Sequence, residues 1–352
     1  MTGKHRARPM ALLLMVPVLS ACNPFSDARP MLDEYVERVA RVLETEPELS
    51  SPEPAEQIPR RRDRVLAMPE LDMGMLDFLS LYGCELQFVV GEKNSVMGRV
   101  MQPLNRLRYE VRFIEAAREC LPEVDDEELE EALGEAIESK RESLPIAVWN
   151  ATWGVEEVEA LFTLAKGYYP VAPEGDPVSD LALDAQQLNA ATARLLDQKL
   201  DVSLDFAGNV HQRWQAEYRA GQLINSARLL AARLDDATGL LNERLEGRPL
   251  CLNGKPNNQS DIVQNMFFSV YIGEIQPYMG EIRRARDALI EPLARLAQQQ
   301  EAVMPERFRE WYRHHLSLSA EDSLWLELDQ AMADHTRAWQ DLLGQCGLRP
   351  GA

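Results

Sequence analysis

Between Ile224 and Leu245 the apolar and small side chains recur at intervals of three and four: Ile224, Ala227, Ala231, Leu234, Thr238, Leu241 and Leu245. Residues three and four apart share one face of a helix, whereas a half-buried strand alternates by two. The pattern predicts one helix over residues 205–246, roughly 63 Å long at 1.5 Å per residue, carrying a heptad-like seam. No stretch alternates strictly enough to build a sheet, and no fixed period repeats along the chain. The expected fold is therefore all-α, an elongated multi-helix bundle with long amphipathic helices.

The same spacing places helices at 31–44 and 179–199, and a hairpin over 71–120 with a break at 91–94. Seven acids in 123–131 open a helix running to about Lys140 and complement its dipole; they lack the alternation and central glycine of a calcium loop. An acidic, Pro-rich stretch at 46–59 precedes Arg60, Arg61, Arg62 and Arg64, read as the exposed start of a short helix. The loop at 248–260 leads to a helix capped by Ser260 or Asp261, within which Pro277 and Pro292 predict kinks or short breaks. Helices at 305–316 and 321–345 close the chain, the second opened by Ser319 and stopped at Gly347. Pro170, Pro173, Gly175 and Pro177 make 170–180 the strongest punctuation, so helical regions at 31–169 and 181–352 are expected on either side.

Lys4, Arg6 and Arg8 precede an apolar run from Met10 to Leu19, too short to span a bilayer as a mature helix; residues 1–21 read as a secretory signal peptide. It ends Leu19-Ser20-Ala21-Cys22, which resembles the lipobox of bacterial lipoproteins, with Cys22 receiving the lipid. One acyl chain such as palmitate anchors only marginally, and several on one cysteine anchor durably. Asn23, where an Asp would favour retention, points by the same resemblance to the outer membrane, with the protein facing the periplasm. Residues 22–30 form the lipidated tether, short enough to hold the body close to its membrane.

Cleavage removes three basic residues and no acid, leaving 34 Lys and Arg against 57 Asp and Glu, a net charge of −23. Such a surface repels nucleic acid and anionic head groups. Cys84, Cys120, Cys251 and Cys346 remain in an oxidising compartment, where an even set usually pairs. Of three connectivities, Cys84–Cys120 and Cys251–Cys346 keep each pair within one half of the chain, and would contribute about 4 and 5 kcal/mol by loop entropy. Their scattered spacing is unlike the close pairs of a zinc site.

Candidate chemistry is sparse, and no catalytic, metal or cofactor residues emerge. His211, His314, His315 and His335 fit neither His-Glu-x-x-His nor the Glu-x-x-His of di-iron bundles, and Glu310 with His314 reads as a surface contact. There is no Gly-x-Ser-x-Gly, and Gly254-Lys255 is followed by Pro256 where a phosphate loop needs Ser or Thr. Carboxylate pairs such as Glu274 with Glu281, or Asp201 with Asp205, do not stand out among 57 acids.

Gly83-Cys84-Glu85-Leu86, the predicted helix from Met97 to Cys120, and Phe-Ser-Val-Tyr-Ile-Gly-Glu-Ile-Gln-Pro-Tyr-Met at 268–279 together resemble the proteobacterial family called domain of unknown function 3080. That resemblance implies lipoproteins without an assigned activity and carries over no catalytic residues. Tyr271, Glu274, Gln276 and Tyr278 form the most distinctive local cluster. They are expected either to offer a binding surface or to lie on a helix kinked at Pro277 with its aromatics buried. The leading functional expectation is a non-enzymatic envelope component that binds another protein through helical surfaces. The alternative is a ligand-binding module or enzyme acting on an envelope component, with a pocket near 249–281.

Overall fold

A computed structural model describes residues 27–69, 83–94 and 100–348. Cys22 and the signal peptide lie outside these residues, as does the first part of the expected 71–120 hairpin. Among the described residues there are helices and no strand. The protein is all-α.

The helices are α1 Ala28–Leu43, α2 Arg61–Arg64, α3 Glu85–Asn94, α4 Pro103–Cys120, α5 Glu127–Thr152, α6 Glu157–Leu161, α7 Ser179–Leu196, α8 Ala207–Ala216 and α9 Arg219–Glu246. After them come α10 Asn258–Met266, α11 Gln276–Ala285, α12 Glu291–Gln298, α13 Glu306–His315 and α14 Leu324–Gly344. The principal packings are α9 on α14, α4 on α5, and α1 on α9. One apolar cluster joins α1, α7, α9, α10 to α14 and the tryptophans at 149, 153 and 311. A smaller one holds α3, α4, most of α5, and Leu195, Leu200 and Leu204. Helix α5 serves both, with Leu133 to Val148 in the smaller and Trp149 in the larger. Tyr169, just before the 170–180 connection, and Val178 within it belong to the larger cluster.

Several boundaries differ from the sequence expectation. The break foreseen at 91–94 is helical, since α3 continues to Asn94. Helix α5 runs past Lys140 and through Pro145. The proline cannot donate to the carbonyl of Arg141, four residues back, and Gln198 Nε2 donates to it instead at 3.4 Å. The long rod at 205–246 is two helices, broken at Glu217 and Tyr218 without any proline or glycine at the break. Tertiary contact explains the turn. A Cβ at Gly221 would stand 2.1 Å from the carbonyl oxygen of Thr163, so α9 begins pressed against that backbone. Helix α8 meanwhile packs against α6 and α7. The 28 residues of α9 span about 42 Å, so a 63 Å rod no longer argues for elongation.

Two caps also move. Asn257, not Ser260 or Asp261, caps α10: its side chain accepts from the amides of Gln259 and Ser260 at 2.9 and 3.1 Å, while Ser260 Oγ accepts from the Asn257 amide at 2.8 Å. Ser323 rather than Ser319 caps α14, accepting from the Trp325 amide at 3.2 Å. Arg64, expected to be exposed, is wholly buried. Its Nε donates to Pro59 O at 2.7 Å, Nη1 to the carbonyls of Trp153 and Val155, and Nη2 to Glu159 at 2.9 Å. The guanidinium thus ties the end of the Pro-rich stretch to the turn after α5.

Polar groups inside the larger cluster lock α1 to α9 and α14. Trp339 Nε1 donates to Tyr35 Oη at 2.9 Å, and Thr238 Oγ1 donates to Leu234 O at 2.6 Å. Thr238 therefore accepts from His335 Nδ1–H at 2.8 Å, which leaves His335 Nε2 as acceptor for the Tyr35 hydroxyl at 2.5 Å. His335 is the neutral Nδ1–H tautomer, and burial pulls its pKa down to about 3.

Candidate functional site

The chain from Asn258 to Gln298 is one helical path with two widened stretches, π-helical at Phe267–Ile275 and Arg286–Ile290. Each stretch ends two residues before a proline, Pro277 or Pro292. The Gln276 amide donates to Tyr271 O and the Glu291 amide to Arg286 O, five residues back. An ordinary α turn would drive each proline ring into the carbonyl four residues earlier, and the wider turn relieves that clash. Widening replaces the expected kinks or breaks.

This geometry parts the four residues singled out from the sequence into two pairs, Tyr271 with Gln276 and Glu274 with Tyr278. Tyr271 is 1% exposed, packed against Tyr35, His335 and Trp339, with its hydroxyl 3.1 Å from Thr336 Oγ1. Tyr278 is 2% exposed, and its hydroxyl donates inward to Tyr169 O at 3.1 Å and Ser226 Oγ at 2.9 Å. Both rings are buried; the Tyr278 hydroxyl is satisfied within the core, whereas the Tyr271 hydroxyl meets the half-buried Thr336 and the side chain of Gln276. Glu274 is half-buried and Gln276 exposed, and they line different grooves. Gln276 borders one of about 560 Å³ between α11 and α14.

Glu274 and the ring of Tyr278 line a groove of about 570 Å³ with Met31, Gly273, Pro277 and the 171–175 segment. Its charged lining is Glu274, Glu281 and Arg284, the last two paired with each other. Ala172 at φ +47° and Gly175 at φ +80° turn the connection across this face; for alanine that conformation is strained. Residues 273–281 therefore do border a pocket, as expected for the C-terminal part of 249–281. The 249–257 loop does not line it; α1 and the 170–180 connection do.

Sequence reasoning missed a third groove, of about 350 Å³, between the Pro-rich stretch and the ends of α13 and α14. Pro52, Glu53, Arg228, His315, Asp322 and Glu327 are among its lining groups. His315 stacks on Trp311 at 5.3 Å and 11°, and its Nδ1–H donates to Trp311 O at 3.1 Å. That bond leaves Nε2 with its lone pair. Burial, aided by the charge of Arg228, lowers the His315 pKa to about 4, so the ring is a neutral acceptor at pH 7. Arg228 feels Glu327 and Glu53, and burial depresses its pKa. The neighbouring His314 does not pair with Glu310: Nδ1 meets Asp322 O at 3.0 Å and Nε2 lies 3.5 Å from the Asp322 carboxylate. The adjacent histidines were the local signal of this groove, since its walls come from three segments more than 80 residues apart along the chain.

Cys84 and Cys120 stand at disulfide distance with Cα atoms 5.7 Å apart, and Cys251 and Cys346 with Cα atoms 5.1 Å apart, both within reach of a bond. Among the described residues no group of three His, Cys, Asp or Glu side chains is placed to hold a metal ion. No described helix is long and apolar enough to cross a membrane. Comparison with curated proteins and with solved structures gives no match. A family model does match, over residues 32–350, from within α1 to beyond α14. The chain belongs to the family described as protein of unknown function DUF3080.

Proposed function

We propose that this chain is a lipoprotein, anchored through Cys22 to the periplasmic face of the outer membrane, whose helical body docks onto another envelope protein. Anchoring rests on the basic start, the apolar run and Leu19-Ser20-Ala21-Cys22. Four residues separate Cys22 from Asp27, at most roughly 18 Å of extended chain over the five steps, so α1 begins close to the membrane.

The observation that carries docking is a set of large apolar side chains displayed on stiffened backbone. Leu252 is 72% exposed beside Cys251, which Cys346 faces at bonding distance; Ile262 and Phe268 are 52% and 51% exposed along the helical path that Asn257 caps. Apolar groups held out on rigid elements suit partner binding more than folding. A photocrosslinking residue in place of Phe268, irradiated in cells, is expected to trap one reproducible protein, and Leu252→Asp should abolish the adduct. Recovery of no adduct from that position would refute docking through Phe268. For the anchor, Cys22→Ser should leave the chain out of the membrane fraction; membrane retention of that variant would refute lipidation. The ligand-binding alternative is supported by the groove of about 570 Å³, which lies within the size range of small-molecule sites.

A further inference from the structure

The groove bounded by Met31, the 171–175 segment, Gly273 and Pro277 has a lining that is mainly aliphatic and backbone. Its tyrosine presents the ring, because the Tyr278 hydroxyl is bonded to Tyr169 O and Ser226 Oγ on the inner side. A polar ligand would find Glu274 and the already paired Glu281 and Arg284. An apolar chain finds the remaining walls.

The position of the groove identifies which apolar chain is at hand. Met31 lies in the first turns of α1, four residues from Asp27, a rise of about 6 Å. From Asp27 back to Cys22 the chain extends no more than roughly 18 Å. At full extension the sulfur of Cys22 lies about 24 Å from Met31 and at any lesser extension nearer, so an acyl chain on it can reach the groove at an effective concentration that a free lipid does not match. Moving such a chain from bilayer to an aliphatic groove exchanges one apolar surrounding for another, so little opposes the transfer.

We propose that this groove holds one acyl chain of the lipid on Cys22. The proposal rests on the lipid anchor put forward above. Occupancy fixes the orientation of the body: the start of α1, the 170–180 connection and the widened helix at Gly273 face the membrane, and the remaining chains on Cys22 keep the anchor.

The experiment uses the full chain in cells fed a fatty acid that carries a diazirine and an alkyne. The alkyne reports lipidation, and irradiation followed by peptide mapping reports where the chain lies. The expected result is an alkyne label that Cys22→Ser abolishes, with crosslinks to peptides containing 171–175 or 273–284. Gly273→Phe should fill the groove, since a Cβ there makes only ordinary contact with Phe268 O at 3.5 Å. That variant should keep the label and lose the crosslink. Gly239→Phe, at an exposed site with open space, should keep both. Label with crosslinks confined to phospholipid, to another protein or to other segments overturns the groove proposal while leaving the anchor intact, and so does a crosslink that Gly273→Phe does not reduce. Absence of label on the parent chain overturns the anchor, and this proposal with it. If Gly273→Phe fails to fold, the peptide map of the parent chain still decides.

Discussion

Acidification from pH 8 to pH 5 should cost this protein about 4 kcal/mol through two buried histidines. His335 is 0% and His315 5% exposed, and burial lowers their pKa values to about 3 and about 4. In the unfolded chain each returns to about 6.5 and is almost fully protonated at pH 5. The folded forms are still neutral there, so the unfolded state binds the extra protons and gains about 2 kcal/mol per histidine relative to pH 8. The sum barely depends on how far below 5 the folded values lie. His211, 8% exposed with its pKa also lowered by burial, adds in the same direction. Stability from these groups is complete above pH 6.5 and is lost as pH falls toward the folded values. Urea unfolding of the unreduced chain, followed by the fluorescence of its six buried tryptophans, measures this directly. His315→Gln should remove about 2 kcal/mol of the pH-dependent loss, whatever it does to stability at pH 8. A parent stability that is flat from pH 8 to 5, or a His315→Gln slope equal to the parent slope, would refute the neutral buried assignment.

Other expectations follow from single contacts. Lys140 Nζ lies 2.7 Å from Glu110 with both side chains buried, so Lys140→Met should cost about 3–5 kcal/mol by leaving the carboxylate short of a partner. The double variant with Glu110→Leu should recover most of that loss in the same urea assay; a double variant as unstable as the single would show that packing, not charge, is responsible. Gly221→Ala places a Cβ 2.1 Å from Thr163 O, a backbone atom that cannot rotate away, and should cost about 1–3 kcal/mol or more. A neutral effect on the melting temperature would mean that α9 does not press on that turn. The denatured, unreduced chain should show no free thiol from Cys84, Cys120, Cys251 or Cys346, and a thiol titration finding all four free would exclude both bonds.

How much of this was legible in the sequence depends on the range of the interactions concerned. The helical class followed from spacing alone, because an i, i+3, i+4 pattern is local. The cysteine partners followed from proximity along the chain and compartment logic. Arg64 did not, since a run of four arginines reads as solvated until Trp153, Val155 and Glu159 arrive from about 90 residues away. The break at Glu217 was invisible for the same reason: nothing in residues 216–219 stops a helix, and the backbone of Thr163 does. Of the four residues chosen at 271–278, the two tyrosines carried the stronger aromatic signal, yet that signal belongs equally to a core and to a surface.

The two prolines show where local and tertiary information meet. Pro277 and Pro292 establish that the α ladder fails just before them, whatever surrounds the helix. They leave open whether the chain breaks, bends or widens, and the packing decides. Tyr271 must reach Tyr35, His335 and Trp339, while Tyr278, seven residues on, must reach Tyr169 and Ser226. A break would free Tyr278 from Ser226, and a sharp bend would lift Tyr271 off Trp339. A widened turn keeps the axis while shifting the register between the two tyrosines, so both bonds survive. Gly273, inside the widened stretch and four residues before Pro277, leaves its part of the groove wall without a side chain. The same proline that interrupts the ladder thus shapes the wall against which we place the acyl chain.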